Sequence, residues 1–151
     1  MIKIICVGKK HEAIYEHAIA HFEKRLFQWQ KVEWLILSPS GSDGNDARTD
    51  ESSRITNKLS KGDFVILLDE AGKNITSPEL AGYNEKAQNS SKQIVCIIGG
   101  AYGVDTQLKT RADEIVAFGQ VVFPHQLMRV MLLEQLYRAY SINAGSGYHH
   151  V

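Results

Sequence analysis

The stretch Gln93–Asp105, QIVCIIGGAYGVD, decides the fold. A fully apolar run of strand length stops at two adjacent glycines. A third glycine follows three residues later, and Asp105 then offers a helix cap. Strand, glycine turn, helix start is the order of an α/β unit. The bare backbone at Gly99 and Gly100 has competing explanations. A pyrophosphate cradle wants Gly-x-Gly-x-x-Gly after the first strand, or a Gly-Lys-Ser/Thr loop, and neither spacing is present. A flat ligand such as adenine needs only main-chain N–H and C=O groups with no side chain in the way. A tight turn needing positive φ would explain the same glycines with no ligand.

Two neighbouring stretches favour the ligand. Leu67–Lys73, LLDEAGK, ends a second apolar run with acidic residues and its own glycine. Gly119–Arg129, GQVVFPHQLMR, follows a third with Gly, then Pro-His. In parallel sheets, ligands bind beyond the carboxyl ends of the strands. Three such exits in one chain predict a shared pocket.

The rest of the chain completes an alternating pattern. Ile2–Val7 and Val32–Leu37 read as strands, and His11–Phe27 as a helix with Ile14, Ala18, Phe22 and Leu26 on its inner stripe. Residues 38–52, SPSGSDGNDARTDES, read as a polar loop leading into a helix near Arg54–Leu59. DFVILLD, from Asp63, reads as a strand covered on both faces. After the loop EAGKNITS, Pro78 suits a first helical turn capped by Ser77. A short helix runs from Asp105 to Ala112, EIVAFG forms a short strand, and the last helix spans Pro124 to Asn143. The expected fold class is α/β, a mostly parallel sheet flanked by helices, in a single domain over residues 1–151.

Composition limits the function. With 17 basic and 17 acidic residues the formal net charge is zero, which excludes gripping nucleic acid by overall charge alone. A local basic patch, doubled by a symmetric dimer, is still compatible. Cys6 and Cys96 lie in apolar runs and read as small buried hydrophobes rather than a disulfide framework or zinc site. His17 and His21 have metal-ligand spacing on the first helix but lack a third ligand, so no metal is expected. The opening MIKIICVGKK is too short in its apolar part for a signal peptide, and no segment approaches membrane-spanning length. A cytoplasmic protein is the expectation.

Between Leu127 and Tyr140 too many residues are apolar for a helix with one buried face. The helix must be covered from two directions, and a C2 homodimer through it is the simplest second cover. Arg129 and Arg138 on this helix have two readings each: structural pairing, as Arg138 with Glu134 four residues earlier, or contact with phosphate or base. Tyr148, His149 and His150 belong to the C-terminal tail and read as a solvated end, or else close over a substrate after the Gly145-Ser146-Gly147 hinge, with the Tyr ring stacked on a base.

Taken together, LLDEAGK, IIGGAYGVD and VVFPHQLMRVMLLEQLYRAYSINAGSGYHH resemble the ribosomal RNA large-subunit methyltransferase H family, of the SPOUT class. The likeness also takes in IKIICVGK and FEKRL near the start, and is strongest from Val65 onward. The resemblance implies a SPOUT-type fold whose C-terminal part forms a deep trefoil knot. It implies S-adenosylmethionine as cofactor, held bent against Leu68, Gly100, Gly119, Gln120, Val121, Val122, Phe123 and Pro124, with two subunits packed through their last helices. It implies methylation of N3 of pseudouridine 1915 in the helix 69 loop of 23S rRNA, within the assembled 70S ribosome. On that reading the ribosome's shape and proteins supply the contacts that zero net charge does not. Catalytic candidates are His149 as base or substrate ligand, Tyr148 as stacking platform, and Arg138 or Arg129 as electrostatic partner of a deprotonated ring; His125 instead orients the cofactor loop. Where the family commonly continues Tyr-His with Lys or Arg, this chain has His150, a weaker charge near neutral pH. The alternatives are a SPOUT methyltransferase acting on another RNA such as tRNA, and a non-catalytic dimeric module that binds ribosomes.

Overall fold

The computed structural model describes residues 1–150; Val151, at the end of the tail, lies outside the described residues. Among the described residues five strands and five helices alternate: β1 (Ile2–Val7), α1 (Ala13–Leu26), β2 (Val32–Leu37), α2 (Gly44–Thr56), β3 (Asp63–Asn74), α3 (Ser77–Asn89), β4 (Gln93–Ile98), α4 (Thr106–Arg111), β5 (Glu114–Ala117) and α5 (His125–Asn143). All strand pairs are parallel, in the order β2-β1-β4-β3-β5.

The sheet is covered on both faces, which is why its central strands have no polar alternation. Ile4, Cys6, Ile66, Cys96 and Ile98 point to one side, into a core shared with α1, α3 and α5. Ile5, Val65, Leu67, Val95 and Ile97 point to the other, where Ile55 of α2 and Leu108 of α4 meet them. Cys6 and Cys96 are both buried free thiols in the first of these cores. Burial pushes the Cys96 thiol up to about 12.

Helix α5 receives its second cover from its own chain. It lies between α1 and α3, so Leu132, Leu133, Leu136, Ala139 and Tyr140 are buried without a partner subunit. The two-sided apolar pattern therefore reports a central helix of a three-layer domain, and a dimer is not needed to explain it. Its first turn is tied to the β1–α1 connection. Gln126 donates to Lys10 O (3.1 Å) and accepts from Glu12 N (3.1 Å). Arg129, only 1% exposed, donates to Lys9 O (2.9 Å) and lies 3.2 Å from Nδ1 of His11.

Local boundaries differ from the sequence reading in four places. The inner stripe of α1 is Tyr15, Ile19, Phe22 and Leu26, while Ile14 is 78% exposed. A strict four-residue step drifts about 40° per step around a 3.6-residue helix, so Ile14 and Leu26 cannot share one face. Helix α2 begins at Gly44, ten residues before the expected start, and ends at Thr56. Its inner face is Ala47, Glu51, Ser52 and Ile55, mostly small or polar, and hydrophobic periodicity does not register such a stripe. Strand β3 continues through EAGKN to Asn74 after an irregularity between Leu68 and Lys73, where it pairs again with β5. The cap of α3 is Thr76, not Ser77: Thr76 Oγ1 accepts from Glu79 N (3.3 Å) while Glu79 accepts from Thr76 N (2.7 Å). The Lys73 ammonium donating to Glu79, and after it the Thr76 bonds of this capping box, hold the Glu79 carboxyl down to about 2.

Leu136→Ala, which empties the meeting point of α1, α3 and α5, is expected to cost about 2–5 kcal/mol, read as a lowered urea midpoint; a loss no larger than for an exposed site would contradict this packing. The histidines beside Arg129 predict an acid sensitivity. Loss of hydration, then the Arg129 charge, lowers both His11 and His125 below the ordinary 6.5. A depressed folded-state value means that stability is fully present above the unfolded value and falls as pH drops below it. Unfolding midpoints should therefore fall between pH 7.5 and 5.5, and less steeply in His11→Asn; an equal slope in that variant would sink the assignment.

Candidate functional site

The register of the sheet places three strand exits at one level. Leu68 of β3 stands opposite Ile98 of β4 on one side and Val116 of β5 on the other. Beyond these residues the chain leaves the sheet in three adjacent loops, and between them lies a cleft of about 310 Å³. That volume is within the range of small-molecule sites. Its floor is apolar, from Leu68, Ile98, Val116, Phe118 and Met128. Asp69 and Glu70 give one rim two carboxylates. Asp69 also accepts from Ala71 N (2.8 Å) and lies 3.6 Å from Lys109.

The glycine loop forms a second wall. Gly103 N donates to Gly100 O (3.1 Å), closing a tight turn, and two residues later Asp105 caps α4, accepting from Leu108 N (2.9 Å). The two adjacent glycines are bare for reasons internal to the protein. A Cβ on Gly99 would stand 2.9 Å from Val104 Cγ1, and one on Gly100 would overlap Oε2 of Glu51 and sit 3.0 Å from its Cδ. The missing side chains leave room for Val104 and Glu51, a packing demand that the ligand reading of the sequence did not contain.

The β5 exit supplies the third wall. Gly119 turns the chain with φ +114°, a value that L side chains rarely adopt. Val121 and Val122 then stand 63% and 78% exposed at the lip. Of the cofactor positions expected from the sequence, Leu68, Gly100, Gly119, Val121, Val122 and Phe123 line the cleft. Gln120 and Pro124 do not; both are exposed, and Pro124 precedes α5 as its cap, its carbonyl accepting from Met128 N (3.0 Å). His125 joins the lining, its value lowered first by loss of hydration and then by Arg129, with Glu51 acting in the opposite sense.

The expected catalytic residues separate into two groups. Tyr148, His149 and Arg138 come together near the far end of α5. The Tyr148 hydroxyl donates to Glu134 Oε1 (3.1 Å), and its ring meets that of Tyr137 edge-on at 4.6 Å. The guanidinium groups of Arg138 and Arg25 lie 4.8 and 5.0 Å from the Tyr148 ring centre. Arg138 pairs with Glu134 and has Nη1 3.4 Å from Nδ1 of His149. Burial, then Glu134, raises the Tyr148 hydroxyl above its ordinary value. Arg129 does not belong to this group. It is buried against Lys9 and His11, nine residues before Arg138, so the readings that give it a phosphate, a base or a substrate ring fail on access. Thirteen residues separate His125 from Arg138, about 20 Å along a helix. Within one chain, then, the tail cluster and the cleft sit toward opposite ends of α5.

Two contributions were missed by the sequence reading. Arg25, on α1, joins the tail cluster through Tyr137 and Tyr148, and only the folded packing of α1 on α5 shows it. Helix α2 supports the glycine loop: Ser52 Oγ accepts from Asp105 N (2.8 Å), Arg48 donates to Tyr102 O (2.8 Å), and Tyr102 donates to Asp43 (3.2 Å). The spacing Ala47-Glu51-Ser52-Ile55 was the available signal for that helix.

The chain is similar to proteins described as methyltransferases. The family described as "Predicted SPOUT methyltransferase" matches residues 1–149. The chain is 40% identical to the ribosomal RNA large subunit methyltransferase H of Bifidobacterium adolescentis and 38% identical to that of Streptococcus suis, in each case over 98% of both chains. It is 33% identical to the protein of the same name from Caldicellulosiruptor saccharolyticus, over 99% of both. A probable methylase family protein of Haemophilus influenzae shares the fold, with a TM-score of 0.55 at 12% identity, over 99% of this chain and 70% of that one. The parallel five-stranded sheet, the cleft at its three strand exits and these matches lead to one assignment: the chain belongs to the SPOUT methyltransferase family.

Proposed function

We propose that this protein is an S-adenosylmethionine-dependent methyltransferase of the large ribosomal RNA, acting on N3 of pseudouridine 1915 in the helix 69 loop of 23S rRNA within the assembled 70S ribosome. The observation that carries the reading is the single cleft at which Leu68, the Gly100 loop and the Gly119–Phe123 segment meet. Its supports are the apolar floor for an adenosine, close-packed backbone along one wall, and the Asp69 and Glu70 carboxylates facing a ligand that carries positive charge. The names and near-complete coverage of the curated relatives support the rRNA substrate.

When bound, the cofactor supplies a methyl group already activated on a sulfonium, so alignment is the main task left to the protein. Leu68, Gly100, Gly119, Val121, Val122 and Phe123 would hold it, with Gln120 and Pro124 shaping the segment that carries the last of these. Tyr148 stacks on the target base. His149 takes the N3 proton or holds the base, and Arg138 stabilises the ring as that proton leaves. Arg129 serves as a support, fastening the start of α5, and with it the cleft wall, to the β1–α1 connection.

The separation of cleft and tail favours a homodimer through α5, in which one subunit's Tyr148 and His149 complete the other's cleft. Partly exposed Leu127, Val130 and Met131 on that helix suit such a contact. The C-terminal trefoil knot goes with this reading; its support is that α5 returns from the outer strand β5 to lie between α1 and α3. The proposed setting is the cytoplasm, where ribosomes are assembled. Among the described residues no helix is long and apolar enough to cross a membrane.

Purified protein given methyl-labelled S-adenosylmethionine should label 23S rRNA in 70S ribosomes and leave isolated subunits and tRNA nearly unlabelled. Labelling of tRNA alone would redirect the assignment, and no labelling of any RNA would end it. Truncation after Gly147 is expected to reduce methyl transfer at least 100-fold while the cofactor still raises the melting temperature; full turnover by the truncated chain would rule out the tail as catalytic.

A further inference from the structure

Glu51 is an acidic side chain packed directly behind the cleft's glycine wall, and no step of the proposed reaction uses it. It sits on the inner face of α2 and is 4% exposed. Its Oε1 accepts from Ser40 N (2.9 Å), in the connection between β2 and α2. Its Oε2 is buried, has no hydrogen-bond partner, and occupies the space that a side chain on Gly100 would need. A buried carboxylate oxygen without a donor is costly. If filling the space beside Gly100 were all that mattered, an apolar side chain would do so without that penalty. The contacts of the neighbouring residues on the same helix have a common direction: Arg48 holds Tyr102 O, and Ser52 holds Asp105 N. Glu51 lies between them in sequence and meets the loop at Gly100, one of the loop residues that line the cleft.

We infer that Glu51 is a positioning residue for methyl-donor binding: wedged between Ser40 and Gly100, it sets the backbone of the glycine loop at the height the donor requires. Gly100 is bare to admit Glu51 from behind, not to admit the ligand from the front. The inference rests on the cleft being the donor site, and it gives residues 38–56 a role, that of a brace behind the glycine loop.

The two explanations of Gly100 are separated by a mutant cycle. Donor affinity is measured by calorimetry with S-adenosylmethionine for the wild type, Gly100→Ala, Glu51→Ala and the double variant, with Glu51→Ser replacing Glu51→Ala if the latter does not fold. Gly100→Ala should weaken binding about 100-fold, more than loss of Glu51 alone, since its Cβ collides with the Glu51 carboxylate and pushes the loop out of place. The double variant should bind more tightly than Gly100→Ala alone, because the obstructing carboxylate has gone. Glu51→Ala alone should raise KM for the donor about tenfold with kcat at saturating donor retained. A double variant that binds no better than Gly100→Ala would show that the ligand excludes the side chain and would overturn the inference; so would an unchanged donor KM in Glu51→Ala. Melting of the same four proteins without ligand reads the contact separately. Gly100→Ala should lower Tm in the wild-type background and by clearly less in the Glu51→Ala background, and equal losses would overturn the contact itself. Absence of donor binding by the wild type, with the melting cycle still coupled, would reject the cleft as donor site while leaving the Glu51–Gly100 contact intact.

Discussion

The parallel register that sets Leu68, Ile98 and Val116 side by side is the constraint on which the site depends. β4 lies between β1 and β3, and β5 joins the far side of β3. Parallel strands deliver all their carboxyl ends to one edge, so three loops distant in sequence must emerge together. None of the three could form the cleft alone. The β3 exit carries the rim carboxylates, the β4 exit a tight turn, and the β5 exit a glycine bend followed by apolar residues. A change that shifted β5 relative to β3 would separate the walls without touching any lining side chain.

Support for these loops comes from behind the sheet edge. The glycine turn has one internal bond, Gly103 N to Gly100 O, too little to fix its conformation. α2 supplies the rest through Asp43, Arg48, Glu51 and Ser52. On the other flank α5 is held at its first turns by Gln126 and Arg129, which bond main-chain carbonyls of Lys9 and Lys10. Both arrangements use polar side chains to fix backbone, in places where apolar contact would leave a loop free to slide. The cost is buried atoms without partners at Glu51 and Arg129, flanking the cleft from two sides.

The legible part of the chain was the part with periodic apolar residues. Ile2–Val7 and Val32–Leu37 could be placed to the residue because strand runs end abruptly at glycine or polar residues, and the last helix, expected from Pro124, begins one residue later at His125. α2 could not, since a face made of Ala47, Glu51 and Ser52 resembles a loop to any measure of hydropathy. The cleft was legible as three glycine-marked strand exits, and Leu68, Gly100 and Gly119 all line it. The reason for the glycines was not legible, because Glu51 is 49 residues from Gly100 and nothing local links them. Arg129 misled for a related reason. Two arginines on one helix look alike in sequence, yet nine residues of helix put one inside the fold and leave the other beside the tail.

The abundance of apolar residues in α5 is often a sign of a subunit interface, and here it has a different first cause. α1 and α3 flank the helix, and together with the sheet they bury most of its large side chains. Any argument for a dimer must therefore rest on what the single chain leaves incomplete. That is the distance between the cleft at the beginning of α5 and the Tyr148–His149–Arg138 cluster near its end, about 20 Å on a rigid element. A helix cannot shorten, and the tail beyond Ala144 is anchored by Tyr148 to Tyr137 and Glu134 on the same helix. A two-fold axis crossing α5 would reverse one copy against the other and bring the end of each to the beginning of its mate. The geometry that keeps cleft and tail apart in one chain is the geometry that would unite them in two.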